Sequence, residues 1–349
     1  MSAESSNGSS SPLRRIAVLG AGSFGTALVQ SLATGGHDVS LWSRRRDLAE
    51  RIQETRHNHD YLPKAKLPPS VSISSDIAEV VAGRDLWIVA VPSQSVREVA
   101  TSLAPHATEA HTIVSVAKGI ENGTLLTTTG VLREVLPHAN PNRIGVLYGP
   151  SHAEELAARQ PTSIVLTIPD LTTAEQVQEV FMSSYLRVYV NPDLIGVEIG
   201  GSVKNVLALA AGMADGLGYG DNAKAALITR GLVEMQRLGV AMGADPHTFA
   251  GLAGFGDLVV TCFSQHSRNR YLGEQIGRGT SLEDAQAEMR MVAEGVRTTQ
   301  STYALAQRHG VEMPITEAVY AILFENLAPR DAVLELMTRD ARAEIEAHD

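Results

Sequence analysis

An open, doubly wound α/β sheet followed by an all-helical domain is the fold class this sequence predicts, and three observations predict it. Gly20-Ala21-Gly22-Ser23-Phe24-Gly25 lies between an apolar segment, Arg15-Ile16-Ala17-Val18-Leu19, and a helically spaced one over 26–33. Strand-like and helix-like segments then alternate to about residue 190, as in a sheet covered by helices on both faces. Beyond Asn191-Pro192, Ala, Leu, Met and Gly dominate and β-branched runs nearly vanish. The boundaries that follow are a disordered tail over 1–12, a Rossmann-type domain over 13–190 and an all-helical substrate and catalytic domain over 191–349.

The first apolar segment reads as a buried parallel strand, and the helix after the glycines ends at Gly35-Gly36. Gly20 permits the tight turn, Gly22 lets the backbone approach a pyrophosphate and Gly25 lets helix and strand pack closely. A second strand, 38–42, ends at Ser43-Arg44-Arg45-Arg46. Further strands are expected at 71–73, 85–91, 112–116, 143–148, 163–167 and 186–190, the later ones parallel or antiparallel. Amphipathic helices are expected over 76–81, 93–103 and 172–182. In the second half, Asp245-Pro246 and Ser281-Leu282-Glu283-Asp284 read as helix starts, and 330–349 as a charged amphipathic helix at the surface or at an oligomer contact. A homodimer is therefore an open expectation.

The 349 residues exceed the usual single-domain size. A net charge of −10 argues against a nucleic-acid binder, which would be basic. One cysteine, Cys262, excludes an internal disulfide and suits a reducing cytoplasm. The Ser-rich start lacks the apolar core of a signal peptide, and no run of 18 apolar residues predicts a membrane span. The longest apolar stretch, 203–213, is short and is interrupted by Gly212.

Four polar constellations could carry chemistry. Lys204 sits in a helix of small apolar residues, where a buried amine must be paired or used and its pKa can fall toward neutrality. Lys118 follows the fifth strand, at the carboxyl edge where ligands bind open α/β sheets. In Gly149-Pro150-Ser151-His152-Ala153-Glu154, Ser151 can cap a helix aimed at an anion, while His152 reads as structural. Asp257 and Thr261 share a helical face, with Asp257 able to pair with Lys204, and Arg268 and Asn269 supply donors for a phosphate monoester. No Cys/His cluster has metal-ligand spacing, so no metal is expected. An NAD site usually has an acid near the end of the second strand; Ser43 and the arginines favour NADP(H), with NAD(H) still open.

These strings, with Ala90-Val91-Pro92-Ser93-Gln94, Ala117-Lys118-Gly119-Ile120-Glu121, Gly201-Ser202-Val203-Lys204-Asn205, Gly254-Phe255-Gly256-Asp257-Leu258 and Ser267-Arg268-Asn269, stand in an order that resembles the bacterial-type NAD(P)-dependent glycerol-3-phosphate dehydrogenases, from about residue 15 to 326. The resemblance implies reversible reduction of dihydroxyacetone phosphate to sn-glycerol 3-phosphate, feeding glycerophospholipid synthesis in the cytoplasm. It makes Lys204 the proton acceptor in oxidation and a substrate contact. It places Lys118, Gly149, Ser151, Asp257, Ser267, Arg268 and Asn269 at the substrate. Around the cofactor, beside Gly20, Gly22 and Gly25, it places Ser23, Phe24, Arg44, Arg45, Tyr61, Lys118, Ala153, Arg268, Val292 and Glu294. The rival readings are a related dehydrogenase of a hydroxyacyl or 6-phosphogluconate-like substrate, and a catalytically silent NADP-binding protein.

Overall fold

The computed structural model describes residues 14–289, 291–341 and 343; the expected tail over 1–12 lies outside them. The strands are β1 (Arg15–Leu19), β2 (Asp38–Trp42), β3 (His57–Asn58), β4 (Leu62–Lys66), β5 (Ser72–Ser74), β6 (Leu86–Val89), β7 (Thr112–Ser115), β8 (Ile144–Tyr148), β9 (Thr162–Thr167) and β10 (Leu186–Val190). Eight of them form one sheet in the order β10-β9-β8-β7-β6-β1-β2-β5, and β3 pairs with β4 in a separate antiparallel ribbon. All neighbours in the large sheet are parallel except β8 and β9, which resolves the direction left open for the later strands. The order reverses at β1, so a crevice opens between β1 and β6 at their carboxyl ends.

Local chemistry explains the helix starts on this sheet. Asp76 accepts from the Ala78 N–H ahead of Ile77–Val81, and Asp170 from the Thr172 N–H ahead of Leu171–Phe181. The segment expected as one helix over 93–103 is a 3₁₀ turn, Ser93–Ser95, followed by Val96–Leu103. Ser151 does not cap a helix. His152 occupies the cap position of Ala153–Ala157, and the Ser151 hydroxyl turns back to donate to the Gly149 carbonyl at 2.9 Å.

Beyond β10 the chain is helical. Its central helix, Leu194–Gly216, is capped by Asp193 and runs straight through Gly212, so that glycine does not end the apolar stretch. The reason is packing. A Cβ on Gly212 would stand 2.0 Å from the Arg270 carbonyl oxygen, and one on Gly273 would stand 2.1 Å from that of Leu209. Backbone therefore lies on backbone between this helix and Arg268–Gly277. Leu194–Gly216 is long and apolar enough to cross a membrane by length and composition, with a mean hydropathy of 1.4, but 89% of its apolar window is buried inside the protein. Among the described residues it is the core of the helical half.

Two expected helices differ from the reading, one in type and one in length. Asp245-Pro246 opens a 3₁₀ segment, Pro246–Ala250, and not an α-helix. The C-terminal helix is Pro329–Met337, ending well before residue 349; residues 344–349 lie outside those described.

Candidate active site

The fingerprint turn sits on the crevice. Gly20 has φ +128°, and a Cβ there would lie 2.4 Å from the Ala90 carbonyl oxygen at the end of β6. A Cβ on Gly25 would lie 2.1 Å from the Gly20 oxygen, whereas one on Gly22 would meet nothing within 4 Å. Gly22 therefore faces open space at the start of helix Ser23–Thr34, whose cap makes no side-chain bond and whose first turn holds no acid. The first N–H groups and the helix dipole are thus free to receive a pyrophosphate. The turn is held from below by Asn58, whose amide donates to the Ala21 carbonyl and the Thr26 hydroxyl, both at 2.8 Å. The sequence reading missed Asn58 because it comes from β3, a two-residue strand without periodicity.

A cleft of about 510 Å³ runs from this turn to the helical half. Of the residues expected at the cofactor, Gly20, Gly22, Ser23, Phe24, Gly25, Arg44, Arg45, Tyr61, Lys118, Arg268, Val292 and Glu294 line it. Ala153 does not, being buried behind it. Ser23 donates to the Tyr61 carbonyl at 2.8 Å. At the adenosine end, Ser43 is buried and donates to the Arg45 carbonyl at 3.1 Å. Arg44 reaches Glu98 at 3.2 Å, and Arg45 reaches Asp47 at 2.6 Å and Asp60 at 3.2 Å. Arg46 points elsewhere, to Glu50. Glu294 accepts from the N–H and hydroxyl of Ser93, and burial pushes its carboxyl above the usual range.

At the other end two lysines share one carboxylate. Lys204 is 6% exposed; its Nζ donates to Asp257 Oδ1 at 2.5 Å and to Thr261 Oγ1 at 2.8 Å. Lys118 Nζ donates to Asp257 Oδ2 at 2.7 Å and to the Gly149 carbonyl at 2.8 Å. Asp257 and Thr261 stand one turn apart on helix Asp257–Phe263, which follows a π-turn, Leu252–Gly256. Burial lowers the Lys204 amine to about 8; the Asp257 charge opposes the fall and the Lys118 charge adds to it. Such an amine can hold or release a proton near neutral pH.

Ser267, Arg268 and Asn269 begin helix Arg268–Gly277 on the same cleft. Ser267 is its cap, accepting from the Arg270 N–H, and Arg268 donates to the Val292 carbonyl at 2.9 Å. The Asn269 amide is partly committed, donating to Asn205 Oδ1 and accepting from the Gly295 N–H, both at 2.9 Å. One Asn269 N–H remains for a ligand. Ser151 lines the cleft, but Gly149 does not and meets the site only through its carbonyl. His152, read from the sequence as structural, also lines it, as do Asn205 and His266, which were missed; Asn205 stood beside Lys204, but its neighbour carried the signal. Burial is the largest influence lowering the His152 pKa, with the Lys204 charge next. Among the described residues no group of three or more His, Cys, Asp or Glu could hold a metal.

A glycine fingerprint at the switch point of a parallel sheet, opening onto a buried lysine–aspartate–lysine arrangement, defines a nicotinamide-dependent oxidoreductase of the Rossmann class. Family profiles narrow this: the NAD-dependent glycerol-3-phosphate dehydrogenase N-terminus matches residues 15–174 and the C-terminus of the same family matches 193–334. The chain belongs to that family. It is 60% identical to glycerol-3-phosphate dehydrogenase [NAD(P)+] 2 of Salinibacter ruber, over 94% of this chain and 96% of the relative. It is 53% identical to the Prosthecochloris aestuarii glycerol-3-phosphate dehydrogenase [NAD(P)+], over 95% and 99%. The crystal structure of the Coxiella burnetii glycerol-3-phosphate dehydrogenase superposes with a TM-score of 0.90 at 40% identity, covering 94% of this chain and 99% of that one.

Proposed function

We propose that this chain reduces dihydroxyacetone phosphate reversibly to sn-glycerol 3-phosphate with NAD(P)H, NADPH being preferred. The observation that carries the reading is the buried Lys204–Asp257–Lys118 arrangement at the end of the dinucleotide cleft. The nicotinamide, when bound, supplies hydride to the ketone carbon. The oxygen of that carbon gains negative charge and needs a proton, which Lys204 gives as an ammonium in reduction and takes back as an amine in oxidation. Asp257 holds both lysines in register, so neither must be ordered at the moment of reaction. Arg268, the free Asn269 N–H and the start of helix Arg268–Gly277 neutralise and orient the phosphate. Lys118 adds a second positive charge beside the substrate.

Gly20, Gly22 and Gly25 with Ser23, Phe24 and Tyr61 would hold the pyrophosphate and its flanks, and Glu294 and Val292 border the far side, with Ala153 buried behind the cleft. Arg44 and Arg45 would grip a 2′-phosphate by exchanging it for their present carboxylates, a surface rearrangement that costs little. The expected division at residue 190 then separates a cofactor-binding unit from a catalytic one. A cytoplasmic enzyme that supplies a glycerophospholipid precursor, acting alone or as a homodimer, completes the reading; the single cysteine, buried and with its thiol pushed up to about 12, is in keeping with a reducing compartment.

The test is NADPH oxidation followed at its absorbance with dihydroxyacetone phosphate and with unphosphorylated dihydroxyacetone. Turnover should need the phosphate. Comparable rates with both ketones would remove the substrate assignment.

A further inference from the structure

Tyr148 ends β8 and is fully buried, outside the lining of the cleft. Its ring lies on Gly201 of helix Leu194–Gly216, where a Cβ would come within 2.5 Å of Tyr148 Cδ2. Its hydroxyl donates to the carbonyl of Ala117, the residue immediately before Lys118, and lies 3.1 Å from Thr128 Oγ1. Thr128 Oγ1 is in turn 3.2 Å from Glu198 Oε1, and Thr129 gives the same carboxyl its N–H at 2.9 Å and its hydroxyl at 2.7 Å. Glu198 is buried on the helix that carries Lys204.

Tyr148 spends its one hydroxyl hydrogen on Ala117, so its contact with Thr128 uses the threonine hydrogen. The Thr128 hydroxyl also stands within donating distance of Glu198 Oε1, and burial pushes the Glu198 carboxyl above the usual range. Burial also keeps the Tyr148 phenol neutral, as a donor.

We propose that Tyr148 is a positioning residue: through Ala117 its hydroxyl fixes where Lys118 enters the site, and through Thr128 and Glu198 it locks that loop to the Lys204 helix. The assignment rests on the reading of Lys118 and Lys204 given above. Lys204 is faced by Asp257, Thr261 and Cys262 from helix Asp257–Phe263, by Lys118 from the loop after β7 and by His152 from the segment after β8. Of these, Lys118 is the group that Tyr148 holds. Releasing it removes a neighbouring positive charge and leaves Asp257 undivided, and both changes raise the Lys204 pKa.

The experiment is the pH profile of kcat/KM for reduction of dihydroxyacetone phosphate by full-length wild type, Tyr148→Phe, Thr128→Val and Thr128→Ser. Tyr148→Phe keeps the ring on Gly201. Its alkaline limb should move up by on the order of half a pH unit or more, with a several-fold higher substrate KM. Thr128→Val should shift the limb the same way by less, and Thr128→Ser should restore the wild-type profile. A Tyr148→Phe enzyme with the wild-type limb and KM overturns the proposal, whatever its melting temperature. If Tyr148→Phe does not fold, the two threonine variants decide: identical limbs in both overturn it. A wild type inert toward dihydroxyacetone phosphate instead overturns the underlying reading of function, and the assignment falls with it.

Discussion

Replacing Lys204 by methionine separates chemistry from folding, because the two consequences can be worked out independently. Holding this ammonium in the folded protein is costly. An amine that titrates at about 8 instead of 10.5 disfavours its charged form by about 3 kcal/mol. Because the folded value lies below the unfolded one, the stability linked to this group is fully present only above 10.5 and is lost as pH falls through about 8. Near neutrality, Lys204→Met therefore relieves that cost. Against it stands the loss of a partner for buried Asp257, worth about 3–5 kcal/mol when a buried charge is left alone. Asp257 is not left alone, since Lys118 stays at 2.7 Å. The opposing effects are of similar size, methionine fills the stem's volume, and the variant should fold and bind NADPH. Its kcat should fall by about 10²-fold or more, at least roughly 2.7 kcal/mol of barrier. In the wild type, ketone reduction should decline above about pH 8 as the amine loses its proton, and alcohol oxidation should rise toward the same pH. Lys204→Arg should fail almost as badly, because a guanidinium does not release its proton. Circular dichroism, NADPH titration and initial rates across pH make the assay. A folded Lys204→Met enzyme with near-normal kcat, or a wild type without the alkaline limb, would refute the reasoning.

Other perturbations follow from the same geometry. Arg268→Ala should raise the substrate KM by roughly 10- to 100-fold, the scale of one charged hydrogen bond, while lowering kcat much less; a pure kcat defect in steady-state kinetics would place Arg268 away from the phosphate. Arg44→Ala with Arg45→Ala should raise the NADPH KM by a similar factor and leave the NADH KM nearly unchanged, with parallel changes in both arguing that these arginines only shape the fold. Glu234 is 3% exposed, accepts the Ile315 and Thr316 N–H groups at the start of helix Pro314–Phe324, and is pushed by burial to about 7. Its folded pKa exceeds 4.5, so its contribution is present below 4.5 and lost as pH rises through about 7, amounting to about 3 kcal/mol. Urea titrations of Glu234→Gln should show a flatter loss of stability across that window; an unchanged slope would contradict the assignment.

What could be read in advance was local chemistry and period. The fingerprint and the strands that follow it come from short strings in which type and spacing carry the information, and the pairing of Asp257 with Lys204, 53 positions away, was legible because a buried amine needs a carboxylate. Even there, cap chemistry misled at Ser151, because the chain turns one residue later and His152 takes the cap position. Gly212 reads as an interruption because a glycine lowers helix propensity, yet a backbone-to-backbone seam with Arg268–Gly277 demands its missing side chain. The Asn58 support for the fingerprint and the contacts of Tyr148 with Ala117 and of Glu198 with Thr129 join residues 31–69 positions apart, without a periodic signal at either end. Long-range polar pairing of this kind is decided by topology.

In the proposed reaction the ketone carbon of dihydroxyacetone phosphate receives hydride from the nicotinamide while Lys204 protonates its oxygen. Reduction with NADPH deuterated at C4 on the transferring face, followed by NMR of the product, tests it most directly. The expected product is sn-glycerol 3-phosphate carrying one deuterium at C2, formed at a rate that collapses in Lys204→Met. Product without deuterium at C2, or deuterated product formed equally fast by Lys204→Met, would contradict it.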